Sequence, residues 1–216
     1  MRRTSVSARP PAIISGVATD LYISLDIEAD GPIPGPTGWG YSMLSLGACV
    51  AGTLNDAGFR PIDPTADTFY VELKPISDDV VPEALAICER ALSMPRDELL
   101  TRGAEPTRAM RQFVDWVKAA ERKHDARAVA VGWPSSWDFG TWVFWYLTRF
   151  AGESPFSHGQ HRDIRDVLAT RQNLPVRGLT KRAIPRHLQP KRRHTHHALD
   201  DAIEQAELFA NVMTRS

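Results

Sequence analysis

Asp26 and Glu28 stand two residues apart in the stretch LYISLDIEADGP, residues 21–32. Leu21, Ile23, Leu25 and Ile27 alternate with Tyr22, Ser24, Asp26 and Glu28, and the period of two of an extended chain sends both carboxylates to one face. Carboxylates this close repel unless something positive lies between them, so the pair reads as a solvated strand end or as one wall of a cation site. Asp138 follows an apolar stretch and opens a helix-like one, a place suited to an N-cap as much as to chemistry. Asp201 falls at the margin of the apolar stripe of a terminal helix. There it is either a charge favoured by the helix dipole or a carboxylate projecting into a cleft. His194, His196 and His197 precede that helix and titrate near neutrality. His194 and His196 also raise a zinc site of H-x-H type, although Ala198 occupies the place of the acid that such a site carries two residues after its second histidine.

In chain order, Asp26-Ile27-Glu28, Asp138 and His196-His197-Ala198-Leu199-Asp200-Asp201 resemble the three motifs of the DEDD exonucleases, which have a ribonuclease H-like fold. The last segment matches the H-x-A-x-x-D form of the DEDDh branch, the group that includes the proofreading exonuclease subunit of bacterial DNA polymerase III. The resemblance spans residues 21–213. D-x-E alone is common, H-x-A-x-x-D at a helix start is more restrictive, and the ordered trio is more specific than either. Where many members place Asn or His ahead of Phe-Asp in the second motif, this chain has Trp133-Pro134-Ser135-Ser136-Trp137-Asp138.

The resemblance implies a 3′-5′ exonuclease that releases nucleoside 5′-monophosphates. Hydrolysing a phosphodiester calls for hydroxide at neutral pH, neutralised phosphate charge and a stabilised leaving oxygen, and two divalent ions about 4 Å apart meet all three needs. Oxygen ligands favour Mg²⁺ or Mn²⁺. By resemblance Asp26 bridges both ions, Glu28 and Asp201 complete the site nearer the attacking water, Asp138 holds the second ion, and His196 is the general base. The same site acting on RNA, and a nucleic-acid-binding domain without chemistry, are the alternative readings.

The segment KRAIPRHLQPKRRHTHH, residues 181–197, gathers Lys181, Arg182, Arg186, Lys191, Arg192 and Arg193. By itself such a run is a solvated loop. Because it leads into His196, Arg186, Lys191, Arg192 and Arg193 are expected to border the cleft and meet the phosphates of a single-stranded or 3′-ended nucleic acid. Trp39 and Tyr41, in the Gly/Pro-rich stretch after the acidic strand, are candidates to stack on a terminal base.

These residues need elements to hold them. Residues 21–28, 43–51 and 68–75 read as three strands joined by short links, an antiparallel meander. Helices are expected at 82–92 and 106–124, each with proline in its first turn, then a short buried strand at 127–133. Helical stretches follow at 139–150, 163–172 and 198–213. In the last, Ala202, Ala206, Phe209 and Met213 form the apolar stripe with Ile203 beside it, and Asp200, Glu204 and Glu207 are expected to face solvent. The order predicts an α/β, ribonuclease H-like domain with a mixed central β-sheet flanked by α-helices.

Composition bounds the rest. The chain has 216 residues, 43% hydrophobic and 24% charged, enough for one domain with one core. Its apolar runs fall short of the ~20 residues of a membrane helix. Lys plus Arg and Asp plus Glu balance at 26 each, so attraction for a polyanion must be local. Residues 1–19 read as a flexible leader rather than a secretory signal, because Pro10, Pro11, Ser15 and Gly16 interrupt any apolar core. By the resemblance, residues 20–216 are expected to form the exonuclease domain. Two cysteines without paired spacing fit a reducing cytoplasm.

Overall fold

The alternating stretch around Asp26 becomes β1 (Asp20–Ala29), the middle of a six-stranded sheet. The computed structural model describes residues 19–215; the leader expected over residues 1–19 lies, apart from Thr19, outside them. β1 pairs antiparallel with β2 (Met43–Asn55) and parallel with β5 (Arg127–Gly132). On the far edge of β2 lie β3 (Gly58–Pro61) and β4 (Thr68–Glu72), both antiparallel to it, and β6 (His161–Asp163) runs parallel to β5. The meander is therefore present with β3 inserted. Pro61 ends β3 after four residues, too short a run for periodicity to register.

The helices are α1 (Pro82–Cys88), α2 (Arg96–Arg102), α3 (Pro106–His124), α4 (Phe144–Tyr146), α5 (Ile164–Gln172) and α6 (Ala198–Arg215). α1 stops earlier than its apolar pattern predicts. The short polar α2 was not foreseen; it brings the Arg96 guanidinium 2.8 Å from Asp30, just beyond the acid pair. α4 is flanked by π-helical segments, Ser136–Val143 and Leu147–Ala151. Phe144 donates its N–H to the Phe139 carbonyl five residues back, and Gly152 does so to Leu147. Trp142, Val143, Tyr146 and Leu147 are buried there while Gly140, Thr148 and Arg149 are exposed, so this helical stretch turns one apolar face to the core.

β1 is buried along both faces, so the expected alternation of inside and outside becomes an alternation between two interiors. Leu21, Ile23, Leu25 and Ile27 pack with α3 residues such as Phe113 and Val117 and with Trp142 and Tyr146. Tyr22 packs on the other side with Ile164, Leu168, Phe209 and Val212 of α5 and α6. The single core expected from composition is thus two, divided by the sheet, with a small third group around Leu44, Cys88 and Leu99. Each fully buried Leu, Ile or Phe contributes about 1.5–3 kcal/mol, so both faces hold β1 in place. Among the described residues no helix is long and apolar enough to cross a membrane.

Candidate active site

Asp26 and Glu28 project from β1 toward the start of α6 and are 7% and 8% exposed. What lets α6 come so near is Gly47 on β2, the register partner of Asp26. A Cβ at Gly47 would lie 2.2 Å from the Leu199 nitrogen, so only glycine admits the helix at this distance. Immediately before α6, His196 takes a left-handed conformation with φ of 64°. The backbone N–H groups of Thr195 and His196 donate to the two oxygens of Asp201, at 2.7 and 2.8 Å, and His194 Nδ1 lies 2.8 Å from the same carboxylate. Gln205, one turn further, donates from Nε2 to Asp26 Oδ1 at 2.6 Å.

Carboxylate oxygens of Asp26, Glu28 and Asp201 lie within 4.8 Å of one another. Asp138, in the first π-helical segment, lies near enough for its charge to raise Asp26. It is 3% exposed, and its Oδ2 has no hydrogen-bond partner. It is not a helix cap, because Ser135 occupies that position. In the segment of the second motif, Ser135 Oγ lies 3.1 Å from His161 Nδ1 on β6, and the Trp133–Pro134 bond is cis.

The buried acids raise one another. Burial, and then Asp138, Glu28 and Asp201, hold the Asp26 carboxyl well above its ordinary range. Burial pushes Glu28 up to about 7, against the opposing hydrogen bond from Cys88, whose Sγ lies 3.3 Å from Oε2. Burial and the Glu28 charge raise Asp138. For Asp201 burial also acts upward, but the His194 and backbone hydrogen bonds outweigh it and its pKa falls below the usual value. Burial and the neighbouring His194 lower His196. Its ring is half exposed, with Nδ1 4.0 Å from Glu28 Oε1, and is neutral at pH 7. Three clustered carboxylates with buried Asp138 and its orphan oxygen beside them fit hard divalent cations that take oxygen ligands. His194, His196 and Asp201 form a second possible ligand group, in which a single carboxylate belongs to both.

The other expected contacts are dispersed. Trp39 is 88% exposed on the loop after β1. Tyr41 is half-buried with its ring over Gly31, where a Cβ would meet Cγ at 2.1 Å, and it packs on the core. Arg186 and Arg193 are exposed. Lys191 and Arg192 donate backbone N–H groups to Glu207, and Arg192 Nε is 3.4 Å from that carboxylate. Glu207 lies six residues beyond Asp201, roughly 9 Å along the helix.

Nearer the acids are residues the sequence did not single out. Glu204, expected to face solvent, is 4% exposed because Lys181 covers it, with Nζ 2.5 Å from Oε2. Gln205 is fully buried. Ala29, Gly31, Pro32, Val81, Ala84 and Trp137 line an apolar cleft of about 390 Å³ beside Glu28 and Asp138. Only Trp137, adjacent to Asp138, carried a signal for it.

The family model described as the 3′-5′ exoribonuclease Rv2179c-like domain matches residues 40–213. The 3′-5′ DNA exonuclease Cap18 of Escherichia coli is 34% identical over 190 residues, covering 88% of this chain and 90% of its own. Among solved structures, the nuclease domain of 3′hExo, a DEDDh family member bound to rAMP, superposes with a TM-score of 0.57 at 14% identity, covering 90% of each chain. A 3′-exonuclease described in 3′-end specific recognition of the histone mRNA stem-loop gives 0.62 at 14% identity, covering 91% of this chain and 64% of that one. At such identities the likeness establishes the ribonuclease H-like fold of the DEDDh exonucleases.

Proposed function

The chain belongs to the 3′-5′ exoribonuclease Rv2179c-like family and is a 3′-5′ exonuclease, and from that premise we propose that Asp26, Glu28, Asp138 and Asp201 hold divalent cations, Mg²⁺ or Mn²⁺, and that the product is a nucleoside 5′-monophosphate. The observation that carries this reading is the meeting of the buried Asp26, Glu28 and Asp201 carboxylates within 4.8 Å of one another, with buried Asp138, whose Oδ2 is unpartnered, near enough for its charge to raise Asp26. Bound divalent cations supply charge neutralisation at the phosphate and ease the ionisation of water. Neutral His196 takes the proton of the attacking water as general base and returns it to solvent through its exposed edge. Gln205 fixes the rotamer of Asp26, and the N–H groups before α6 fix Asp201.

The apolar cleft beside Glu28 seats the terminal base against Trp137. Trp39, Tyr41, Arg186, Lys191, Arg192 and Arg193 guide the strand leading to it. DNA is the substrate favoured by the relative at 34% identity, which is a DNA exonuclease; the family description favours RNA as the second reading. Incubation with 3′-ended single-stranded DNA, single-stranded RNA and duplexes, with Mg²⁺, Mn²⁺ or EDTA, tests both. Stepwise loss from the 3′ end with 5′-monophosphate release is expected, abolished by EDTA. Binding without release in either metal would instead identify a silent binding domain.

A further inference from the structure

Lys181 is the cation of the basic segment that turns inward. It begins a turn (Lys181–Ala183) anchored by Leu179 and Ile184, which pack on the α5 and α6 side of the sheet. Its Nζ lies 2.5 Å from Glu204 Oε2 and 3.4 Å from His194 Nδ1. Asp201 Oδ2 accepts the His196 N–H at 2.8 Å, and the 2.8 Å contact of His194 Nδ1 with the same carboxylate oxygen is made with the proton on that nitrogen. His194 Nδ1 therefore offers Lys181 no lone pair. An ammonium carries three donors, and among the described residues Glu204 alone accepts one. The side chain is 27% exposed, so the remaining donors are open to an incoming acceptor. Glu204 sits between Asp201 and Gln205, the two α6 residues tied into the acid cluster, and its carboxylate, 5% exposed, pins the ammonium at the edge of that cluster. His194 Nδ1, 3.4 Å from Lys181 Nζ and 2.8 Å from Asp201 Oδ2, spans the short gap between the ammonium and the acids. By contrast, Arg192 lies against Glu207.

We infer that Lys181 is a substrate-binding residue, whose ammonium, held at the rim of the acid cluster by Glu204, receives the non-bridging oxygens of the scissile phosphate. This rests on the exonuclease reading of the site. A charge-assisted contact of this type is strong enough to be read in binding, and Glu204 is the structural partner that fixes it without spending all its donors.

The test is a coupling cycle on affinity, independent of turnover. Oligonucleotides of whichever sugar the wild type hydrolyses are prepared with an ordinary terminal linkage or with a neutral methylphosphonate there. Fluorescence anisotropy in Ca²⁺ then gives four dissociation constants, for the wild type and for Lys181→Met. Neutralising the linkage is expected to weaken wild-type binding by roughly tenfold or more, and Lys181→Met to bind both oligonucleotides alike. Lys181→Arg is expected to restore the discrimination. Equal weakening of both by Lys181→Met, or no discrimination in the wild type, overturns the inference. Because Lys181→Met leaves Glu204 buried and unpaired, the cycle is repeated with Lys181→Met/Glu204→Gln, which removes both charges and leaves no buried carboxylate without its cation. Nucleotide release by the wild type in Mn²⁺ or Mg²⁺ is scored separately. Release without coupling removes the role of Lys181 and leaves the exonuclease standing; no release removes the exonuclease reading and this inference with it.

Discussion

Two expectations follow from single side chains. Glu28 keeps its proton up to about 7 in the fold, against an ordinary 4.5, and Asp26 and Asp138 are shifted the same way. Between those values the folded chain binds more protons than the unfolded one, so stability is full below the unfolded pKa and is lost as pH rises through the folded one. His196 is lowered and acts in the opposite sense, but its ring is half exposed. The metal-free protein is therefore expected to melt at a lower temperature at about pH 8 than at about pH 5, by roughly 2–4 °C for each kcal/mol of linkage, and Mn²⁺ is expected to close the gap. Thermal unfolding in EDTA and in Mn²⁺ measures this; a metal-free protein equally stable at both pH values would contradict the burial of the cluster. The second concerns His196→Ala, expected to lower kcat by roughly two to four orders of magnitude with metal affinity nearly unchanged. Isothermal titration with Mn²⁺ beside the kinetics checks it, and loss of metal in parallel with activity would favour the H-x-H reading.

At the level of elements, the site depends on how closely α6 lies on β2. Gly47→Val would drive a Cβ into the Leu199 nitrogen and the Ala198 carbonyl, pushing His196 and Asp201 away from Asp26 and Glu28. An overpacked contact of this type costs about 1–3 kcal/mol. The protein should still fold, with activity falling by far more than the loss of folded protein explains. Denaturant unfolding and kcat measured on the same preparation compare the two, and full activity would mean that the helix start is not what aligns the acids. The π-helical turns around α4 are the other device. The first of them carries Asp138 near enough to β1 for its charge to raise Asp26, and nothing in the local pattern FGTWVFWYLTRF separates them from an ordinary α-helix.

For the whole molecule, a balance of 26 basic and 26 acidic residues leaves no long-range pull on a polyanion, so affinity for a strand rests on a few local cations. Arg192→Glu with Arg193→Glu is expected to weaken binding to single strands and to reduce the slope of log affinity against log salt by about 1.4, at ~0.7 per phosphate contact. An unchanged slope on a long oligonucleotide would make the 186–193 stretch a solvated loop. Much of the architecture was legible in the chain. The pairing of Asp26 with Glu28 follows from the period of a strand, and His196 with Asp201 from the spacing at a helix start; both are local, so residue order determines them. Glu204 was misread because one helix's periodicity cannot report that Lys181, 23 residues earlier, lies over its polar face. Gln205 reaching Asp26 across 179 residues, Gly47 admitting α6, the second core and the apolar cleft beside Trp137 were likewise decided only by the tertiary structure. Each exists through close approach between elements distant in sequence, and neither hydrophobic period nor motif spacing carries information about such distances.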